Sequence, residues 1–199
     1  MQKNNFWVRA SLVFVLALGL TVCGCQSTSS SKKASSGEIG PVKVENVTVE
    51  RLNGISPDKF HKSDVLVFRT TFNFMNPGDA MAEVRDFYFE VKVDDGTADK
   101  TIIQSASMPK TFIPGGEHFT WYATCPLSYG GMIGSYVTRG LGGGGIKNAV
   151  GKLNEVWKAL GNDEKTFYIQ GRYSTAYPNV PETGKKIQQF DFEYTIPEL

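Results

Sequence analysis

Residues 65–78 read Val65-Leu-Val-Phe-Arg-Thr-Thr-Phe-Asn-Phe-Met-Asn-Pro-Gly78, and they give the clearest indication of the fold class. Every second side chain in it belongs to one stripe, formed by Leu66, Phe68, Thr70, Phe72 and Phe74. Alternation with a period of two is typical of a β-strand that turns one face toward a core. The Asn-Pro-Gly sequence then supplies the turn residues that end the strand.

The same alternation returns along the rest of the chain. Four further stripes continue at every second residue: Phe87, Phe89, Val91 and Val93; Phe119, Trp121, Ala123, Cys125 and Leu127; Phe167, Ile169, Gly171 and Tyr173; and Phe190, Phe192, Tyr194 and Ile196. Val42–Leu52 is also strand-like, with a phase slip near Asn46-Val47 that predicts a bulge, and Thr101–Ser105 is a shorter candidate. With turns at Asp95-Gly96 and Pro114-Gly115-Gly116, about seven short strands predict two antiparallel sheets packed face to face.

One helix is predicted among the strands. Its apolar residues recur at helical spacing, and they are Ile146, Ala149, Val150, Leu153, Val156, Trp157 and Leu160. Gly161-Asn162 marks its end, and we expect it to cover an open end or edge of the sandwich. The preceding glycine-rich stretch, Gly130–Gly145, predicts a loop and the least ordered part of the domain. Only Met132, Ile133, Tyr136 and Val137 could pin part of this loop to the sandwich or touch the membrane.

The strand that closes in Phe-Asn-Phe-Met-Asn-Pro-Gly resembles the signature of type-2 late embryogenesis abundant proteins, also called the water-stress and hypersensitive-response (WHy) domain. Two later segments follow in the order of that family. They are Ile113-Pro114-Gly115-Gly116 before Phe119–Leu127, and the tail from Tyr168 through Phe192. Gly78, where the family often has Asn, departs from the pattern. The resemblance implies a fibronectin-like sandwich that protects without catalysis under dehydration or related stress. The expected fold is therefore an all-β, immunoglobulin- or fibronectin-like antiparallel sandwich of about seven strands with one added α-helix.

The first residues predict a lipoprotein signal peptide. Lys3 and Arg9 form a positive start, and the apolar run Ala10–Val22 would span about 20 Å as a helix, less than the roughly 30 Å of a bilayer core. That length is typical of the hydrophobic region of a signal peptide. The run closes in Val22-Cys23-Gly24-Cys25, which resembles the lipobox read by lipoprotein signal peptidase. We expect cleavage before Cys25 and lipidation of that cysteine.

Three segments follow from this interpretation. Residues 1–24 are the expected signal peptide, 25–40 a lipidated Ser-rich tether with almost no apolar residue, and 41–199 the sandwich domain. Because Gln26 rather than Asp follows Cys25, the resemblance to lipoproteins favours the outer membrane, facing the periplasm, if the organism is Gram-negative. The expected partners are this membrane, through the lipid on Cys25, and an envelope protein or lipid.

Charge and cysteine content exclude other classes. The chain has 21 basic and 20 acidic residues, and loss of Lys3 and Arg9 leaves 19 against 20. No basic excess supports nucleic-acid binding. Cys125 is the only cysteine of the expected domain, so no internal disulfide can form and packing must hold the domain together.

Gly140–Gly145 matches the dinucleotide pattern G-x-G-x-x-G, with Asp163 about twenty residues further on. That motif works inside a parallel β-α-β unit, whereas its surroundings predict antiparallel strands. A glycine-rich loop matches such patterns by chance, so we expect no nucleotide site.

Cys125 and His118 suggest a nucleophile with its base. Seven residues of strand separate them by roughly 23 Å, and the odd spacing sends their side chains to opposite faces. We expect Cys125 to be a buried, inert thiol. His61 lies in a polar stretch without an evident partner.

Two further motifs suggest chemistry. Ser107-Met108-Pro109-Lys110 matches the S-x-x-K of penicillin-binding proteins, but that motif begins a helix and Pro109 opposes one. Asp94, Asp95 and Asp99 cluster without the spacing of a calcium loop, and Asp95-Gly96 predicts a hairpin turn instead.

Lipidation at Cys25 is therefore the one site the sequence predicts, with no catalytic, cofactor-binding or metal-binding residue. The expected function is that of a membrane-anchored, non-enzymatic envelope lipoprotein, protective in desiccation, osmotic or related stress. The alternative is a structural or adaptor lipoprotein that binds an envelope protein or a lipid. A contiguous exposed apolar patch would favour the alternative.

Overall fold

The computed structural model describes residues 40–53, 61, 63–96, 98–138, 146–178 and 187–196. Cys25 and the expected signal peptide lie outside them. In chain order, the elements of the described ranges are β1 (Lys43–Arg51), β2 (Val65–Met75), β3 (Ala82–Val93), β4 (Thr101–Ser107), β5 (Thr111–Ile113), β6 (His118–Ser128), α1 (Tyr129–Thr138), α2 (Ile146–Gly161), β7 (Thr166–Ala176) and β8 (Ile187–Thr195).

The strands form two antiparallel sheets. One sheet has the order β1-β2-β6, and the other has the order β4-β3-β7-β8, with the short strand β5 also paired to β3. The predicted all-β sandwich is confirmed, with eight strands rather than about seven. The additional strand is β5, which has three residues and pairs with Ala82–Val84. Three residues are too few to produce a recognisable alternation.

The stripes found in the sequence meet in an aromatic core. Phe72 of β2 lies at the centre, with ring centroids 4.7 Å from Phe89 and 5.1 Å from Phe87 of the facing sheet. Trp121 of β6 packs edge-on against Phe87 with a centroid distance of 5.7 Å. Tilted and edge-on rings interlock because the positive edge of one ring meets the negative face of the next.

Register shifts adjust the described strands at three places, one of them between Val91 and Lys92 in the pairing of β3 with β4. The pairing of β1 with β2 shifts between Val44 and Asn46, so the slip predicted near Asn46-Val47 is a bulge at that place. A second irregularity in β3 lies between Arg85 and Tyr88, where Asp86 has a φ of 52°. Arg85 and Asp86 both lie outside the core, so the extra residue lets Val84 and Phe87 both point inward although they are three positions apart.

The helical part differs from the sequence prediction. The expected helix is present as α2, but Tyr129–Thr138 forms a second helix where a loop was expected. Residues 139–145 and the side chains of Tyr136 and Val137 are outside the described part. Neither described helix has the length and hydrophobicity needed to span a lipid bilayer.

Tertiary packing explains the second helix. Ser128 Oγ accepts a hydrogen bond from the backbone N–H of Gly131 at 3.1 Å and so caps the first turn. Tyr129 donates its hydroxyl to Asn154 Oδ1 at 2.6 Å, and its ring meets Trp157 of α2 edge-on at 5.7 Å. Met132 is buried between these elements, as its apolar character predicted. These contacts offset the low helix propensity of glycine.

An ion pair connects α2 to the first strand. Asp163 has a φ of 60° just after the helix, and both of its carboxylate oxygens accept hydrogen bonds from Arg51 at 2.8 Å. Its carboxylate raises the pKa of Arg51, mainly through the side-chain hydrogen bond. Asp163 therefore has a structural role at the end of the helix.

Asn76 connects two turns at one end of the sandwich, which we call the Asn76 end. Its fully buried side chain donates from Nδ2 to the carbonyl oxygens of Ala80, Ile113 and Pro114 at 2.8–3.0 Å. Its backbone carbonyl accepts from Gly116 N at 3.0 Å. Helix α1 follows β6 at the other end, which we call the helical end. The Asn-Pro turn thus fixes the β2–β3 connection against the β5–β6 connection.

Candidate functional site

The outer face of the larger sheet carries a set of interacting polar side chains. On β3 and β7 the core residues alternate with outward ones, and the register places Tyr88 opposite Arg172 and Glu90 opposite Gln170. Directly opposed residues of an antiparallel pair point to the same face. These four side chains therefore form one surface, which we call the Tyr88 face.

Glu90 is the centre of this surface. Its Oε1 accepts the hydroxyl hydrogen of Tyr88 at 2.8 Å, and its Oε2 accepts from Gln170 Nε2 at 3.3 Å. Lys92 Nζ lies 3.1 Å from the same Oε2. The carboxylate is thus surrounded by donors from three neighbouring side chains on two strands.

These bonds determine the protonation states. The hydrogen bond from Tyr88 lowers the pKa of Glu90, and the same bond raises the pKa of Tyr88. At neutral pH the carboxyl is therefore ionised and the phenol is protonated. A general base or acid works best with a pKa near the operating pH, and these shifts move both groups away from it. Both shifts therefore disfavour proton transfer by this pair near neutral pH.

Two shallow depressions adjoin Tyr88, and each has a volume of about 590 Å³. Arg85, Met108 and Lys110 line the first, and Gln170, Arg172 and Gln189 line the second. Both are open to solvent. Their walls offer hydrogen-bonding groups without the enclosed apolar surface that typically holds a small-molecule ligand.

A charged cluster lies beside the first depression. The Glu83 side chain is only 3% exposed, and its Oε2 is 2.7 Å from Arg85 Nη2. Its Oε1 forms an ion pair with Lys110, whose ammonium group also lies 5.5 Å from the ring centroid of Phe112. A buried carboxylate requires such partners because losing water disfavours its charge. This arrangement neutralises Glu83 and leaves half of Phe112 exposed.

Cys125 and His118 are not brought together by the fold. His118 is exposed at the start of β6, where it is 3.3 Å from Glu45. Cys125 points inward, with Sγ 3.5 Å from the carbonyl oxygen of Ile103, but it is half-buried rather than buried as expected. The core side of β6 is less covered because this strand lies at the edge of its sheet. Desolvation raises the pKa of the Cys125 thiol, which disfavours the nucleophilic thiolate.

The remaining candidate motifs have local structural partners. Asp94 Oδ1 accepts from Gly96 N at 2.8 Å, and Asp95 Oδ2 accepts the hydroxyl hydrogen of Thr101 at 2.6 Å, so the predicted hairpin turn is confirmed. Asp99 is exposed in the same connection. Within the described ranges, no three His, Cys, Asp or Glu side chains are grouped closely enough to hold a metal ion.

Ser107 ends β4 and is not at a helix start, so the S-x-x-K geometry of an acylating serine is absent there. His61 is exposed, and its backbone N–H donates to Asp64 Oδ2 at 2.8 Å. The dinucleotide pattern, Gly140–Gly145, lies outside the residues that the structure describes.

Sequence reasoning did not identify the Tyr88 face. Its residues are the outward members of strands that were recognised by their inward members, and outward polar residues are expected on any half-buried strand. The only signal available was the shared phase of Tyr88, Glu90 and Lys92. The partners from β7 depend on sheet order, which alternation does not give.

Comparison with known proteins finds no matching family model and no match among curated proteins. Similar solved structures include a Bordetella pertussis protein described as ApaA, 14% identical, covering 79% of this chain and 95% of that one with a TM-score of 0.41. A protein from Archaeoglobus fulgidus is 9% identical over 79% of this chain and 100% of its own, with a TM-score of 0.37. A protein from Arabidopsis thaliana, solved in solution, is 10% identical over 86% and 91%, with a TM-score of 0.35. These similarities do not bear on function.

Proposed function

We propose that this protein is a non-enzymatic lipoprotein, anchored to a cell-envelope membrane by lipid on Cys25, that protects the envelope during drying, osmotic or related stress. The observation that carries the proposal is the Tyr88 face. Tyr88, Gln170 and Lys92 all donate to the Glu90 carboxylate, beside depressions that are open to solvent. Such a surface acts through its hydration and its amount rather than through one reactive group.

The charge balance of the expected mature chain supports the same function. With 19 basic and 20 acidic residues, it has no strong field that would draw it onto nucleic acid or a highly charged surface. The resemblance of the Asn76-Pro77 strand to type-2 late embryogenesis abundant proteins adds support. Since Asn76 is fully buried and bonded to two turns, this motif is best understood as a requirement of the fold.

Survival of the producing bacterium tests the protective role. Deletion of the gene should lower survival after drying, osmotic upshift or freezing, and survival should rise with the amount of protein restored. Four variants, provided that each folds, should restore survival equally, because none removes a large part of the surface. They are His61→Ala, His118→Ala, Cys125→Ser and Tyr88→Phe. A folded variant of this set that fails to complement would show that a discrete site acts, and shielding would be abandoned.

The anchor is tested separately by labelling cells with a radioactive fatty acid. Wild-type protein should carry the label, and Cys25→Ser should lose it and accumulate as uncut precursor. Cys125→Ser is the matched control, since it removes the other expected mature cysteine and should keep the label. Label on the Cys25→Ser protein would overturn the assignment.

A second function, as an adaptor for an envelope protein, is favoured by one feature. Leu52 and Val65, each 41% exposed, adjoin on the outer face of the smaller sheet at the helical end, where Leu52 N bonds to the carbonyl oxygen of Val67. Deletion would then disturb envelope composition or assembly and leave stress survival unchanged. Leu52→Ser should reproduce that defect under the adaptor function and should complement fully under the shielding function.

A further inference from the structure

We infer that the Asn76 end of the sandwich rests on membrane lipid through the side chains of Met81 and Phe112. The inference depends on the proposed lipid anchor at Cys25 and adds an orientation to it. The membrane that carries the anchor is the occupant of this apolar surface.

Three large apolar residues of the described ranges are exposed at this end: Ile187, at the start of β8, is 61% exposed, and the other two are Met81 and Phe112. Met81 is 51% exposed and Phe112 is 48% exposed. Each is adjacent in the chain to a residue whose carbonyl accepts from Asn76, namely Ala80 and Ile113. The Asn76 hydrogen bonds therefore fix the backbone next to both residues, with Met81 directly before β3 and Phe112 in the middle of β5. Phe112 is paired with Glu83, and Met81 is two residues before Glu83, so both side chains belong to the outer face of the larger sheet.

The route of the chain selects the lipid as the occupant. Tyr177 donates its hydroxyl to the carbonyl oxygen of Gly40, and Tyr173 donates to that of Val42 at 2.6 Å. A Cβ placed on Gly40 would lie 3.4 Å from Pro77 Cγ, so Gly40 packs against the Asn76-Pro77 turn. The segment that leads to Cys25 thus joins the domain at the Asn76 end.

The length of that segment keeps this end near the membrane. Fourteen residues separate Cys25 from Gly40, and a Ser/Gly-like coil of this size has a mean reach of about 20 Å. The eleven residues of β2 place the helical end roughly 36 Å further away. Met81 and Phe112 would bind lipid only weakly in a protein free in solution. Once the lipid on Cys25 is inserted, the membrane is held close to these side chains, and the high effective concentration favours the contact.

Lys110 fits the same orientation. Its ammonium group is 5.5 Å from the ring centroid of Phe112 and reaches the Glu83 carboxylate. Its aliphatic stem can lie along lipid while its charge stays at the polar boundary, which is the behaviour of lysine at membrane interfaces. Phe112 can therefore enter the headgroup region without carrying an uncompensated charge.

Lipid-borne quenching tests the orientation with the full, lipidated chain in vesicles of phosphatidylethanolamine and phosphatidylglycerol. A fluorophore is attached at Asp79→Cys or at Asp99→Cys in a Cys125→Ser background. Both aspartates are exposed in turns, at the Asn76 end and the helical end respectively. A nitroxide lipid should quench most of the fluorescence at position 79 and little at position 99. Adding Met81→Ser and Phe112→Ser should reduce quenching at position 79 to the level of position 99.

The outcomes separate the two proposals. Mass spectrometry that finds no acyl chain on Cys25 would overturn the anchor and the orientation together. Lipidated protein with equal quenching at positions 79 and 99, or with quenching at 79 unchanged by the double substitution, would overturn the orientation alone. An unchanged melting temperature of the double variant establishes that its loss of quenching comes from lost contact rather than from unfolding.

Discussion

Replacing Asn76 should show how much one buried amide contributes to the sandwich. Asn76→Ala removes the donor shared by the carbonyl oxygens of Ala80, Ile113 and Pro114, at 2.8, 2.9 and 3.0 Å, and the acceptor of Gly78 N at 3.2 Å. A buried polar group left without a partner costs about 1–3 kcal/mol. Ala80 and Pro114 are exposed and can find water, whereas Ile113 is fully buried. We expect a loss of about 3 kcal/mol, or roughly 6–12 °C in melting temperature for a domain of this size.

Asn76→Asp keeps the shape but turns the donor into an acceptor. The introduced carboxylate would face three carbonyl oxygens, so its folded-state pKa should rise above the ordinary Asp value of about 3.9. A carboxyl group whose pKa is higher in the folded than in the unfolded protein lowers the free energy of unfolding when the pH is above the folded-state pKa. This loss becomes smaller as the pH falls toward the unfolded-state pKa of about 4. The Asp variant should therefore be less stable than the Ala variant at pH 7, and the gap should narrow on acidification.

Urea unfolding of residues 36–199, followed by tryptophan fluorescence between pH 4 and 8, measures both effects. Asn73→Asp is the matched control on the same strand: Asn73 only accepts, from Thr120 Oγ1 at 2.8 Å, so a carboxylate preserves the bond. This control should lie close to wild type. A surface substitution usually changes the free energy of unfolding by no more than about 0.5 kcal/mol. If Asn76→Ala stays within that range of wild type, the Asn76 hydrogen bonds do not hold the two turns together. A pH-independent gap between the Asp and Ala variants would refute the electrostatic argument.

Three further predictions concern the core. Gly171→Ala should destabilise the domain by at least about 3 kcal/mol in urea unfolding, since its Cβ would press on the carbonyl oxygen of Tyr88; a fully stable variant would show that the strands can separate freely. Burial raises the pKa of Tyr173 to about 12, so wild type should lose stability between about pH 10 and 12 as the unfolded phenol ionises first. Tyr173→Phe leaves the Val42 carbonyl without its donor and should lower the free energy of unfolding by about 1 kcal/mol at pH 7. The variant should also lack the loss of stability that ionisation of Tyr173 causes at alkaline pH. A stability profile identical to that of wild type above pH 10 would contradict this prediction. Dithiothreitol should not change the melting temperature of monomer, because Cys125 is the one cysteine of residues 36–199; a large drop would reveal a disulfide.

The sequence predicted the strands because alternation is a local consequence of burying one face. The stripe from Leu66 to Phe74 is inward along its whole length, and the Asp95-Gly96 turn is where its residue types placed it. The candidate site could not be predicted in the same way. Tyr88 and Glu90 are adjacent on one strand, but Gln170 joins them across eighty positions of sequence. Residue type indicates that such side chains are outward, and only the neighbouring strand determines what they contact.

The amino-acid sequence was enough to predict an antiparallel sandwich, since the burial of alternate side chains can be recognised without knowing which strands pair. It could not determine the helix at Tyr129–Thr138, because glycine-rich segments lose much entropy on ordering and the offsetting contacts come from Asn154 and Trp157. Nor could it show that Tyr173 fixes Val42, 131 residues away. The spacing of apolar residues along the chain predicts which side chains are buried. Hydrogen bonds between distant segments depend on the order of the strands in the sheets, which that spacing does not give.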